Sequence, residues 1–368
     1  MQSTTQWLKS DAGKVLIAGP CSAESAKQML DTALGIAARF PNAILRAGSW
    51  KPRTRPGNFE GSGVDGLKWL KDAGKEAGLK TATEVATPQH VEAALTAGID
   101  IFWIGARTTG NPFLVQELAE SLRGTGMPVL VKNPLHPDLQ LWIGGIERFQ
   151  RVGIENIAAI HRGFHAYENS GYRNVPRWQL VHALKSIHPE LPVICDISHI
   201  AGSTSHLMAI AQQAYDLDLE GLMIETHVDP ANAMSDSDQQ VDPETLFKIV
   251  NGLTQRVRSF DETNSIDQVG ELRSRIDKLD LQLLDILVKR VELIGELGDL
   301  KRVNNVSVLQ LERWKEIIDN CMSIARANGL NEEFVRNVFL QIHDEAIRLQ
   351  SKMLQDLVEK GTDGLQKN

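Results

Sequence analysis

Eight short apolar, β-prone runs recur along the first two thirds of the chain, and their starts lie 22 to 36 residues apart. They are Val15-Leu-Ile-Ala, Ala43-Ile-Leu-Arg, Leu79-Lys-Thr-Ala, Ile101-Phe-Trp-Ile, Pro128-Val-Leu-Val, Ile157-Ala-Ala-Ile, Pro192-Val-Ile-Cys and Gly221-Leu-Met-Ile. Such an interval holds a strand, a helix and two loops, so each run opens a βα unit. The runs are continuous rather than alternating, as strands of a parallel sheet covered on both faces require. Helix-like stretches lie between them, at 25–39, 63–77, 88–97 and 203–217, with Gly78 and Gly98 standing where helix stops belong. Eight such units in about 245 residues predict an α/β fold, a (β/α)8 TIM barrel. A doubly wound open sheet is the rival, but no Gly-x-Gly-x-x-Gly follows the first run.

The pattern changes at the polar stretch 259–265. Residues 1–260 are therefore expected to form the barrel, 261–265 a linker, 266–360 a small all-α three-helix domain and 361–368 a tail. In that domain Val269, Leu272, Ile276, Leu279, Leu283, Ile286, Leu287, Ile294 and Leu297 recur at steps that predict one long helix over 266–303. Two more are expected at 309–327 and 332–360, around a turn at Asn328-Gly329. A helix of that length with two companions cannot bury its apolar stripe alone, so an intertwined homodimer, or a higher oligomer, is expected.

Of the 368 residues, 42% are apolar, enough for a real core and against global disorder. No apolar run approaches the ~20 residues of a spanning helix, and residues 1–14 lack an apolar signal core. Cys21, Cys195 and Cys321 are too widely spaced for a disulfide framework, which points to a reducing cytoplasm. With 39 basic against 47 acidic residues the net charge is −8, so neither nucleic acid nor membrane is an expected partner. An anionic substrate has to be met by a local basic cluster.

The predicted strand ends supply one. Function in such barrels sits at the C-terminal ends of the strands. There the sequence places Cys21 after strand one, Arg46, Lys51 and Arg53-Thr54 after two, Glu84 after three and Arg107 after four. Lys132 ends strand five, Arg162 six, Asp196 and His199 seven, and Glu225 eight, with Asp236 in the loop beyond. Arg46, Lys51, Arg53, Arg107, Lys132 and Arg162 are six cations on one rim of an acidic protein, which suits a phosphorylated and carboxylated substrate. Any one of them alone is as readily a solvated surface charge. Cys21, His199, Glu225 and Asp236 form a mixed soft and hard donor set, better matched to Mn, Fe, Co or Zn than to Mg or Ca. A lone cysteine is more often a small buried hydrophobe, and that is the reading for Cys195 and Cys321.

Gly-Pro-Cys21-Ser, Lys51-Pro52-Arg53-Thr54, Gly105-Ala106-Arg107, His161-Arg162-Gly163 and Ser198-His199-x-x-Gly202, taken in order, resemble the 3-deoxy-D-arabino-heptulosonate 7-phosphate synthases over about residues 14–260, in their shorter microbial form. The related octulosonate 8-phosphate synthases share the barrel but differ at Lys-Pro-Arg-Thr. The resemblance implies condensation of phosphoenolpyruvate with erythrose 4-phosphate at the entry to the shikimate pathway. It assigns Arg107, Lys132 and Arg162 to the phosphoenolpyruvate phosphate, Arg46 and Lys51 to its carboxylate side, and Arg53 and Thr54 to the aldose phosphate. Cys21, His199, Glu225 and Asp236 become ligands of a divalent transition metal, Mn2+ first, with Fe2+, Co2+ or Zn2+ as alternatives, and Lys51 the group that handles a proton. Arg55 and Ile197 depart from the common pattern, which has Ser and Pro there.

In the helical segment Arg290 and Lys301 are eleven residues apart, within about 20° of one helix face, whereas Arg273 lies about 100° away. Cations facing into a bundle call for an anionic ligand. Leu272-Arg273-x-x-Ile276-Asp277-x-Leu279-Asp280, with Arg290, Lys301, Glu312 and Gln350, resembles the all-helical chorismate mutases over about 266–355. That resemblance implies cofactor-free rearrangement of chorismate to prephenate. Arg290 and the partner chain's copy of Arg273 would take the carboxylates, Lys301 and Gln350 the ether oxygen and Glu312 the hydroxyl. Val308 and Leu311 fall where relatives often have polar residues. A non-catalytic module for dimerisation and feedback sensing is the alternative for this domain.

Overall fold

The computed structural model describes residues 7–8, 13–51, 57, 59–166, 171–256 and 263–365, the last stretch with side chains at 266–353. Two compact units divide it, residues 1–258 and 259–368. In the first, β1 (Val15–Gly19), β2 (Ile44–Arg46), β3 (Lys80–Val85), β4 (Ile101–Ile104), β5 (Val129–Lys132), β6 (Ile157–His161), β7 (Val193–Asp196) and β8 (Gly221–Glu225) close into a parallel barrel in sequence order. The seam is the β1–β8 pair, in register from Val15 opposite Gly221 to Gly19 opposite Glu225. All eight runs expected from the sequence are these strands.

Local chemistry starts and stops the surrounding helices. Ser25, Thr87, Asp138 and Asp242 each accept a hydrogen bond from a backbone N–H of the first turn that follows, and Pro88 and Pro243 occupy first helical positions. Gly78 takes a left-handed φ of 70° after the helix Gly63–Ala77, the conformation that ends a helix without a Cβ penalty.

Side chains divide by parity along each strand. Leu45, Phe102, Ile104, Val129, Val131, Ala159, Val193 and Ile224 pack outward against the helices, in the larger core. Ile17, Ile44, Ala82, Ile101, Leu130, Ala158, Ile160, Ile194 and Met223 fill the barrel interior. Two residues beyond several of these, on the same inward row, come Arg46, Glu84, Trp103, Lys132, Arg162, Asp196 and Glu225. The alternation that packs the interior therefore also delivers charges to the C-terminal mouth.

The second unit is three helices, Thr263–Val303, Leu311–Ala327 and Glu332–Leu365. The long helix begins inside the expected linker, so 263–265 are helical, and the third helix runs through 361–365 of the expected tail. Thr263, Asn264 and Ser265 have the polar composition of a linker but are also residues that open helices well. Ile318, Met322, Ala325 and Val335 form a small core with Trp314, Cys321 and Phe339. By contrast, every residue from 270 to 286 on the long helix is exposed. Among the described residues no helix is long and apolar enough to cross a membrane.

Next to the mouth the backbone approaches closely at Gly19. Its φ is +146°, and a Cβ there would lie 2.2 Å from the Arg46 carbonyl oxygen. Backbone strain and overpacking each cost about 1–3 kcal/mol. Gly19→Ala should therefore lose at least about 2 kcal/mol of barrel stability in urea unfolding, and an unchanged midpoint would contradict this account.

Candidate active sites

Two buried ion pairs organise the barrel mouth. Arg46 donates to Glu225 Oε1 at 3.0 Å, with side chains 2% and 0% exposed, and also to the Cys21 carbonyl at 3.1 Å. Lys132 Nζ donates to Asp196 Oδ2 at 2.8 Å, with side chains 5% and 0% exposed. The Trp103 ring lies between these cations, 4.8 Å from Arg46 Cζ and 5.6 Å from Lys132 Nζ, while its N–H donates to Glu84 at 2.9 Å. Removing one member of a buried pair leaves an uncompensated charge, at a cost of about 3–5 kcal/mol. Burial raises the Asp196 carboxyl, but His199 and Lys132 overcome it and hold the group well below the usual carboxylate range.

Cys21, Glu225 and Asp236 bring one donor atom each within 4.8 Å of one another. The Cys21 thiol donates to Asp236 Oδ2 at 3.1 Å, and Lys51 Nζ donates to its sulfur at 2.8 Å and to its carbonyl at 2.9 Å. Burial, then Glu225, pushes the thiol up to about 12 against the pull of Lys51. A thiol so crowded by carboxylates ionises when a cation replaces its proton, so the donor set fits a thiophilic divalent ion. His199 stands beside this group of three, its Nε2 4.0 Å from Glu225 Oε1. Its Nδ1 lies 2.9 Å from Asp196, which fixes the proton on that side and leaves Nε2 a lone pair. Burial, with help from Lys132, lowers the His199 imidazole and keeps it neutral. Asp236 itself has a left-handed φ of 48°, unusual for a residue other than glycine.

The rest of the expected rim divides. Arg162 is 6% exposed, and its guanidinium donates to the neutral Asn174 carbonyl at 2.8 Å. Burial lowers it to about 10; Asp196 opposes this, and the positive charges of Arg173 and Arg107 add to it. That crowding of cations marks a place for an anion. Arg107 is exposed on the short helix Ala106–Thr109, immediately after Gly105, where a Cβ would collide with Glu84. Arg53 and Thr54 lie outside the described residues.

Several participants carried no signal in the sequence. Asn133 accepts from the Arg162 backbone N–H at 2.7 Å and donates to Gly163 O at 2.8 Å. Gln240 accepts from the Cys21 N–H at 2.9 Å, and Gln239 and Arg173 contact the metal-type carboxylates.

In the helical unit Arg290 donates to Ile342 O at 3.5 Å and Lys301 to Val308 O at 2.7 Å, both neutral carbonyls. His343 stacks on Trp314 with ring centroids 4.0 Å apart. Burial lowers its imidazole against Asp344, and the charges of Arg290 and Lys301 add to the effect, so both cations bear on one place. Gln350 is 5% exposed, and its Oε1 is buried with no hydrogen-bond partner. A Cβ on Gly298 would lie 3.3 Å from Gln350 Cγ, so glycine permits that approach. Glu312 is not drawn into this group; its side chain is 86% exposed and pairs with Lys315 at 3.3 Å. Arg273 is exposed on the unpartnered part of the long helix.

Comparisons with known proteins agree with this division. Residues 4–259 match the model of the DAHP synthetase I family, and residues 272–351 that of chorismate mutase type II. Phospho-2-dehydro-3-deoxyheptonate aldolase of Thermotoga maritima is 30% identical over 242 residues, 63% of this chain and 66% of that one, so the chain spans slightly under two thirds of that relative. A 2-dehydro-3-deoxyphosphooctonate aldolase of Synechococcus is 28% identical, over 62% of this chain and 83% of that one. Among solved structures, the Thermotoga maritima DAHP synthase superposes with a TM-score of 0.58 at 27% identity, covering 65% of this chain and 67% of that one. A truncated form of the Thermotoga maritima 3-deoxy-D-arabino-heptulosonate 7-phosphate synthase gives 0.56 at 25% identity, covering 65% and 84%. With its barrel matched from end to end, the chain belongs to the DAHP synthetase I family and carries a chorismate mutase type II domain after it.

Proposed function

We propose that the barrel condenses phosphoenolpyruvate with erythrose 4-phosphate to 3-deoxy-D-arabino-heptulosonate 7-phosphate, and that the helical unit rearranges chorismate to prephenate. The observation that carries the first reading is the meeting of Arg46, Lys132 and Arg162 with the Cys21, Glu225 and Asp236 donors at one barrel mouth. Arg162 and Lys132, with Arg107, hold the phosphoenolpyruvate phosphate, and Arg46 and Lys51 lie on its carboxylate side. Arg53 and Thr54 take the aldose phosphate. Cys21, His199, Glu225 and Asp236 hold the divalent transition ion, Mn2+ foremost, which when bound supplies Lewis-acid polarisation of the aldehyde. The enol carbon of phosphoenolpyruvate attacks the aldehyde carbon, water adds at the cation left behind, and phosphate departs. Lys51 is the candidate proton carrier. Burial lowers its ammonium, but Cys21 and Glu225 raise it further, so it holds its proton until the reaction calls for it.

For the helical unit, the paired cations Arg290 and Lys301 and the unpartnered Gln350 oxygen support capture of a compact dianion. Arg273 then serves the second copy's site. The dimer is supported by Leu272, Ile276, Leu279, Leu283 and Ile286, which are 54–63% exposed along one helix. A stripe of that size is not left in water by a stable fold.

Both readings are tested on the intact chain by two assays, with and without chelator. Condensation should vanish in chelator and return with Mn2+, whereas prephenate formation should be indifferent to it. Condensation that persists after chelation ends the metal-dependent reading, and preference for arabinose 5-phosphate would move the barrel to the octulosonate reaction. A domain that makes no prephenate is a sensing and dimerisation module. Sedimentation should show at least a dimer, and Leu279→Glu with Ile286→Glu should shift it to monomer; a monomeric parent chain removes the intertwined arrangement.

A further inference from the structure

Glu225 and Asp236 are each held from outside the donor cluster, and the outer contacts join. Asp236 Oδ1 accepts from Arg173 at 3.1 Å, and the same Arg173 nitrogen donates to Gln239 Oε1 at 2.7 Å. The Gln239 amide nitrogen then donates to Glu225 Oε2 in a short hydrogen bond. Glu225 Oε1 takes Arg46 at 3.0 Å, Arg46 reaches the Cys21 carbonyl at 3.1 Å, and the Cys21 thiol returns to Asp236 at 3.1 Å. The result is a closed ring, Cys21–Asp236–Arg173–Gln239–Glu225–Arg46, around the three donor atoms.

Gln239 is the uncharged link between Arg173 and Glu225 in that ring, and it is 1% exposed. Because Arg173 occupies its carbonyl oxygen, the amide must turn its N–H2 toward Glu225. A neutral donor fixes the carboxylate plane without cancelling its charge, whereas a second cation at this place would weaken it as a metal ligand. Gln239 also ends the short turn that Asp236 opens, its backbone N–H donating to Asp236 O at 3.3 Å. Gln239 thus holds the Glu225 carboxylate directly and reaches the Asp236 carboxylate through Arg173.

We propose that Gln239, acting with Arg173, is a positioning residue that pre-orients Glu225 and Asp236 for a divalent transition cation. This rests on the metal-binding reading of Cys21, Glu225 and Asp236. Outer hydrogen-bond partners of metal ligands are worth about 10–100-fold in affinity.

The test is a titration of the full-length, metal-stripped protein with Co2+, read by calorimetry and by the thiolate-to-cobalt charge-transfer absorption. Gln239→Met keeps the length of the side chain and removes both hydrogen bonds. It should weaken Co2+ about 10–100-fold while the charge-transfer band still appears at saturation, since Cys21 remains a ligand. Arg173→Met, at a side chain 46% exposed and so tolerant for folding, should weaken binding in the same sense. Unchanged Co2+ affinity in either folded variant overturns the positioning role, and so does loss of the band at saturation in Gln239→Met. A parent chain that binds no Co2+, or gives no band, overturns the metal reading itself.

Discussion

The inward row of a closed parallel barrel admits no compromise between packing and chemistry, because each strand presents every second residue to the same narrow interior. Here that row begins with Ile44, Ile101, Leu130, Ile194 and Met223 and continues, one step toward the mouth, with Arg46, Trp103, Lys132, Asp196 and Glu225. Four of the buried charges on that row are paired. They occur as Arg46 with Glu225 and Lys132 with Asp196, with an aromatic ring between the cations. The candidate site is thus the upper end of the core, held by the same register.

The barrel was legible because its signal repeats. Each of the eight runs is short and apolar on both faces, and equal spacing turns eight ambiguous segments into one architecture. That two-sided apolarity also hid which face of each strand looks inward, so Trp103 passed unnoticed. Cys21 and Glu225 stand at strand ends and Asp236 in the loop beyond, and the donor atoms of these three lie within 4.8 Å of one another. Gln239, Arg173 and Asn133 could not be picked out from the sequence. Polar residues in loops are ordinary in composition, and their meaning lies only in the partners that folding gives them.

The helical unit divides along a different line. That Arg290 and Lys301 share a helix face follows from their spacing along one continuous helix. Glu312 lies across a turn on another helix, where its side chain is exposed and pairs with Lys315. The boundary at 261–265 misled because threonine, asparagine and serine serve equally as linker and as helix opening.

The seam between β1 and β8 joins the two ends of the barrel's sequence. Cys21 follows the strand that the ribosome delivers first, Glu225 ends the strand delivered last, and their registers meet where Gly19 stands opposite Glu225. During the synthesis of some two hundred residues the Cys21 thiol therefore lacks the Glu225 and Asp236 carboxylates that surround it in the fold. The three donor atoms come together only when the final strand docks and the loop beyond it folds back, so a partly made or misclosed barrel lacks the cluster.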